Sequence, residues 1–173
     1  SGSFELGGHV LQLNANTVSL MQRAGMTWVK KQYRYNLGDG TGTIAGWVQD
    51  ARSKGLKLLV GIVGQTGQMG DFDSYINTYA QFVGEVAALG VDAIEVWNEP
   101  NIDREWPTGQ VNGANYTRLL AAAFNAIKSR RAETLVISGA PAPTGFFGEA
   151  GCNANGCNDD VFMQQMATAG AGQ

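Results

Sequence analysis

Three carboxylates, an indole and two amides are packed into the run Val91-Asp92-Ala93-Ile94-Glu95-Val96-Trp97-Asn98-Glu99-Pro100-Asn101. Side chains alternate across a strand, so Glu95, Trp97 and Glu99 are expected on one face, with Ile94, Val96 and Asn98 on the other. Pro100 has no N–H to donate and ends the ladder. Glu99 is thereby placed at the carboxyl end of a buried strand, where parallel α/β folds carry their chemistry. A carboxyl there is suited to proton transfer. A strand cap followed by a turn would use the same residues with no chemistry at all.

The elements that position this run repeat along the chain. Gly25-Met26-Thr27-Trp28-Val29, Gly55-Leu56-Lys57-Leu58-Leu59-Val60 and Gly90-Val91-Asp92-Ala93-Ile94 each join a helix-stopping glycine to strand residues. Helical spacing precedes each of them: Val18 and Met21 in the first, then Ile44, Trp47, Val48 and Ala51, then Ile76, Tyr79, Ala80, Val83 and Ala87 with Asp73 as its cap. Tyr116, Leu119, Leu120, Ala123, Phe124 and Ile127 form a fourth, and a fifth opens at Asp159 and runs through Phe162, Met163 and Met166. Strands are predicted at Phe4–Val10, Thr27–Tyr35, Leu56–Val63, Val91–Asn98 and Thr134–Ala140. The alternation is that of an α/β chain with a parallel sheet, and it counts out as five βα units. A (β/α)8 TIM barrel needs eight units and about 250 residues. The chain is therefore read as the first five units of such a barrel, in one domain over 1–173, stopping at Ala171-Gly172-Gln173 where a sixth strand should begin. A doubly wound sheet suits the length, but no G-x-G-x-x-G and no phosphate loop supports it.

Alternate strands of a barrel share layers of inward side chains, which brings the second and fourth strands together. Lys30, Gln32 and Arg34 repeat the spacing of Glu95, Trp97 and Glu99. One register then places Lys30 against Glu95 in a lower layer and Arg34 near Glu99 at the rim. His9 ends the first strand, either as a structural hydrogen-bonding residue or as a substrate contact. Gln65 and Thr66 follow the third strand and can bind hydroxyls. Asn101, Asp103, Arg104, Glu105 and Trp106 belong to the loop after Pro100. Trp97 and Trp106 offer flat apolar faces on which a sugar ring stacks, or else simply pack; Phe146 and Phe147 would extend that platform.

Ile94-Glu95-Val96-Trp97-Asn98-Glu99-Pro100-Asn101 resembles the end of the fourth strand in clan A glycoside hydrolases, and the βα repeats extend the likeness over the whole chain, towards bacterial members. Those enzymes are (β/α)8 barrels that hydrolyse glycosidic bonds with retention. The resemblance implies that Glu99 is the acid/base and that Asn98 contacts the sugar 2-hydroxyl. It also implies that Arg34 is the second-strand arginine that supports the nucleophile, with an oligo- or polysaccharide as substrate. Retention needs a second carboxyl about 5–5.5 Å away. In the clan that group ends the seventh strand, which is not among these five units. Glu149 is a spare carboxylate in a glycine-rich loop and is not assigned the role. The isolated chain is accordingly expected to be inactive, with a sugar-binding module or a self-associating structural fragment as the competing readings.

Bulk properties narrow the rest. A net charge of -3 argues against a nucleic-acid or anionic-membrane surface, and no apolar run approaches the ~20 residues of a membrane span. No cofactor is called for. A metal site is not expected, because the single histidine, His9, is far from Cys152 and Cys157. Those two cysteines bracket a four-residue polar loop, and a small disulfide is preferred over free thiols, implying an exported, extracellular protein. No signal peptide opens the chain, and Ser1-Gly2-Ser3 reads as a scar rather than a native start. Open sheet edges are expected to drive homo-oligomerisation.

Overall fold

A computed structural model describes residues 4–172, so Ser1-Gly2-Ser3 and Gln173 lie outside the described residues. The elements are β1 (Leu6–His9), α1 (Ala15–Arg23), β2 (Met26–Arg34), α2 (Gly42–Ser53), β3 (Lys57–Val63), α3 (Phe72–Ala88), β4 (Ala93–Val96), α4 (Gly113–Arg130) and β5 (Leu135–Ser138). A two-stranded hairpin, β6 (Cys152–Asn153) and β7 (Gly156–Cys157), leads into α5 (Asp159–Thr168). Strands β1 to β5 form one parallel sheet in chain order. This is the first five-strand arc of a (β/α)8 barrel.

Helix ends follow from the residues at them. Gly25, Gly55 and Gly90 take φ of +74°, +68° and +88° just after α1, α2 and α3, a conformation that costs glycine nothing. At the other ends, Asn14 accepts from Thr17 N at 2.9 Å and Asn112 from Asn115 N at 2.8 Å. The cap of α3 is Asp71, which accepts from Ser74 N at 3.1 Å, rather than the expected Asp73. Asp73 lies within the first turn and pairs with Arg118 on α4.

The two faces of the sheet differ in kind. Val29, Leu58, Val60, Ile62, Ile94 and Val96 point under the helices and are almost completely buried. Aromatic side chains complete this layer, with Tyr35 stacked on Phe82 at 4.3 Å. On the opposite face the register sets His9 beside Lys30, Lys30 beside Leu59, Gly61 beside Glu95, and Glu95 beside Ile137. This inner face remains open, and Leu135 and Ile137 are about half exposed on the edge strand β5. No described helix is long and apolar enough to cross a membrane.

Candidate active site

Strand β4 stops at Val96, two residues short of the expected Asn98. The reason is a turn in which Trp97 takes φ +74° and Glu99 φ +46°. Left-handed backbone is rare for a bulky side chain and costs on the order of 1–3 kcal/mol per residue, so it persists only where the surroundings impose it. Trp97 N donates to Ile62 O at 3.0 Å and its indole Nε1 donates to Glu105 O at 2.8 Å. The indole ring packs on Trp106, Tyr79 and Tyr75. Gly139 on the neighbouring strand end is required here, because a Cβ on it would lie 2.8 Å from the Trp97 carbonyl. Glu99 N then donates to Ala140 O at 3.0 Å.

Two buried phenols secure the strand ends on either side. Tyr79 donates to Ile62 O, and Tyr116 donates to Val96 O while accepting from Gly139 N, all at 2.7 Å. Burial pushes Tyr75, Tyr79 and Tyr116 well above the ordinary phenol range, so all three stay protonated.

The left-handed turn corrects the expected alternation. Trp97 leaves the face that carries Glu95 and turns into the helix layer, where it is fully buried. Trp106 is equally buried, against Trp97, Phe72 and Tyr116. Neither indole keeps a free face for a sugar ring. Phe147 is buried as well, whereas Phe146 is 75% exposed with its ring 4.6 Å from that of Phe147. Of the four aromatics considered for a platform, Phe146 alone presents its ring to solvent.

Asn98 and Glu99 are half-buried at the carboxyl end of the sheet. Arg104, five residues on, makes an ion pair with the Glu99 carboxylate. Its Nε also lies 3.9 Å from Glu105 Oε1. Glu105 is held in turn by Arg34, from Nη1 at 2.7 Å and Nη2 at 3.4 Å, while Nη1 also donates to Gly64 O at 3.0 Å. The result is an alternating row, Glu99–Arg104–Glu105–Arg34, with no net charge. Arg34 therefore meets Glu105, not Glu99 as the shared register suggested. The lower pair forms as expected, Lys30 against Glu95.

The remaining candidates are spread around the sheet. His9 is exposed and lines a cavity of about 390 Å3 on the inner face with Trp28, Lys30, Leu59, Ala93 and Ile137. Glu99 is not part of that lining. Gln65 donates to Asn36 at 3.3 Å on the rim beyond β2 and β3. Cys152 and Cys157 are joined in a disulfide across the β6–β7 hairpin. Among the described residues, no group of three or more His, Cys, Asp or Glu side chains is placed to hold a metal ion.

Two residues of the site escape a reading of the sequence. Glu105 reads only as part of the loop after Pro100, although an acidic residue flanked by Arg104 and Trp106 is a signal for an ion pair. Asn101 is completely buried and donates to Ala142 O and Cys157 O at 2.9 and 3.0 Å, while accepting from Ala142 N at 2.7 Å. Its partners are 41 and 56 residues away, and no local pattern reveals them.

No family model matches the chain, and no curated protein matches it. Solved structures do. The endoglucanase Cel5A from the hyperthermophilic Thermotoga maritima superposes with a TM-score of 0.56 at 17% identity, over 73% of this chain and 44% of its own. A GH5-4 broad-specificity endoglucanase from Clostridium longisporum gives 0.60 at 13% identity, over 77% and 45%. The virulence factor SghA from Agrobacterium tumefaciens gives 0.56 at 14% identity, over 78% and 38%. The chain thus spans less than half the length of these structures. What it shares with them is the fold, an arc of an α/β barrel.

Proposed function

We propose that this chain carries the acid/base side of a retaining O-glycoside hydrolase site, with Glu99 as the proton donor and Asn98 as the contact to the sugar 2-hydroxyl. The observation that carries the reading is the pair of left-handed residues, Trp97 and Glu99, at the carboxyl end of β4. Backbone strain of this kind is retained where a side chain must be aimed. Likeness to solved endoglucanases supports the same class, and the Thermotoga maritima Cel5A structures include complexes with cellobiose and with mannotriose. The proposed substrate is accordingly a gluco- or manno-oligosaccharide.

In this reading Glu99 protonates the departing glycosidic oxygen and afterwards takes a proton from water. Arg104 occupies the Glu99 carboxylate and must move aside first. Its 69% side-chain exposure makes that movement inexpensive. A nucleophilic carboxylate about 5–5.5 Å from Glu99 completes retention, and we place it in barrel units beyond the five present here. Gln65 and Phe146 are rim contacts for the sugar, and Arg34 acts through Glu105. The disulfide fits an exported enzyme. The same Arg104–Glu99 pairing favours a second reading, a module that binds sugar without cleaving it.

The test is Glu99→Gln in a barrel completed by the three further units. Turnover of an alkyl glycoside should fall by roughly 10²–10⁴-fold, and that of a substrate with an acidic leaving group much less. Equal turnover of the alkyl glycoside by both proteins would rule out the assignment. Saturable binding of cellobiose or mannotriose without turnover by the completed barrel would favour the binding module.

A further inference from the structure

The loop that follows Glu99 is held largely by a segment far away in sequence. Asp103 N donates to Asn155 O at 2.8 Å and Gly109 N to Ala154 O at 2.7 Å, both into the tip of the disulfide hairpin. Ile102 and Gly156 form an antiparallel bridge, and Cys157 N donates to Asn101 O at 2.9 Å. The buried Asn101 amide closes the join by donating to Cys157 O. Gly156 packs so closely that a Cβ on it would lie 2.7 Å from Asn101 O and 2.5 Å from the Phe147 ring. Every one of these contacts comes from residues 154–157, within the short loop that the Cys152–Cys157 bond closes.

Regular structure adds little to hold that loop: among the described residues, Gln165 of α5 donates to Cys152 Sγ at 3.5 Å, and Asn158 N donates to Gly151 O at 2.7 Å at the base of the hairpin. Strands β6 and β7 are two residues each; beyond their own pairing, β7 has the single bridge from Gly156 to Ile102. An isolated two-stranded hairpin is marginal in water, and this one is far shorter than most. Without the covalent link, its carbonyls are free to leave the Glu99 loop. The two cysteines differ in burial: Cys157 is fully buried, and Cys152 is partly exposed.

We infer that the disulfide hairpin is the positioning element of the Glu99 loop, and that the thiol–disulfide state of Cys152 and Cys157 decides whether this loop is held. Reduction by a dithiol begins at Cys152, the less buried of the two cysteines, where the attacking thiolate forms a mixed disulfide and Cys157 leaves as thiolate. The second thiolate of the dithiol then displaces Cys152, so that two electrons and two protons pass to the protein and the dithiol becomes a cyclic disulfide. The Asn155, Ala154 and Gly156 contacts to Asp103, Gly109 and Ile102 loosen as a group. Residues Arg104 and Glu105, which lie between these anchors, lose their fixed placement beside Glu99 and Arg34. The consequence for catalysis rests on the proposed role of Glu99; the coupling itself does not. A site assembled in this way is complete only in an oxidising compartment.

Amide hydrogen exchange on the 173-residue chain tests the coupling without any substrate. Dithiothreitol is the reductant, and Cys152→Ser with Cys157→Ser is the second route to the same state. In both, the amides of Asp103, Gly109 and Cys157 should exchange at least roughly tenfold faster, while amides of β3 and α3 keep their protection. Re-oxidation should restore the slow exchange. Unchanged exchange at Asp103 and Gly109 would overturn the inference, and so would a uniform acceleration across the chain, which would make the disulfide a global staple only. If the local loosening appears but Glu99→Gln leaves turnover intact, the positioning stands and the acid/base role falls.

Discussion

Lys30 and Glu95 lie on strands that do not touch, yet their charges meet across the strand between them. Gly61 on β3 makes this possible: a Cβ there would lie 3.0 Å from Glu95 Oε2 and 3.5 Å from Lys30 Cε. The contact is an ion pair between the Lys30 ammonium and Glu95 Oε2. Glu95 is the buried partner, its side chain 9% exposed against 29% for Lys30. Lys30→Met strands that carboxylate and should cost about 3 kcal/mol, near the lower limit for breaking a buried pair. Adding Glu95→Leu should recover much of the loss. Denaturant midpoints for the singles and the double give the coupling energy, and simple additivity would show that the charges do not interact.

The rim pairs should behave differently from each other. Glu105 is buried and held by two nitrogens of Arg34, so Arg34→Met leaves an unsatisfied carboxylate and should cost roughly 1.5–3 kcal/mol. Arg104 is 69% exposed, and Arg104→Ala should change stability by no more than about 1 kcal/mol. Urea unfolding with unchanged slope measures both. Equal losses would mean that Arg104 is as deeply involved as Arg34.

Periodicity and glycine placement disclosed the helices, the five strands and their parallel order, because each of those depends on residues close in sequence. The Lys30–Glu95 pair was legible for the same reason: once the barrel is recognised, strand register is an arithmetic of alternation. That arithmetic failed at Trp97. A positive φ reverses the side chain, and whether a tryptophan adopts one depends on Gly139 and Ile62, which are distant in sequence. Of the two roles open to Trp97 and Trp106, packing is the one the structure shows, since the burial of Trp97 carries Trp106 with it. Glu105 took the partner expected for Glu99 because its loop folds back over Arg34, which strand register does not determine.

The buried tyrosines predict a sharp alkaline limit. Tyr79 and Tyr116 are raised above the ordinary value of 10.0 chiefly by burial. Below about pH 10 the phenols are protonated in both folded and unfolded chains. Above it the unfolded chain loses protons that the folded one retains, so stability falls as pH rises towards the folded values. Phenolate absorbance from these residues should therefore appear together with loss of near-ultraviolet circular dichroism, as one cooperative step above about pH 10. Gradual, reversible ionisation of all five tyrosines with the fold intact would contradict this burial.

The open sheet makes a prediction about association. Strands β1 and β5 each have one neighbour, so each leaves a row of N–H and C=O groups unpaired by sheet. Leu6, Leu135 and Ile137 are 38%, 53% and 39% exposed on these edges. Exposed edges with apolar side chains recruit further strands, and natural proteins rarely leave them bare. A closed barrel removes both the edges and the apolar inner face; five strands alone remove neither. The chain by itself should therefore associate with a second copy through its edge strands or its inner face. Two copies supply ten strands, so the product need not be an eight-stranded ring. Sedimentation velocity at low micromolar concentration should show a dimer or larger species, and Leu135→Lys on the edge should weaken it. A compact, cooperatively folding monomer that binds no apolar dye would show that the inner face is covered by the chain's own residues.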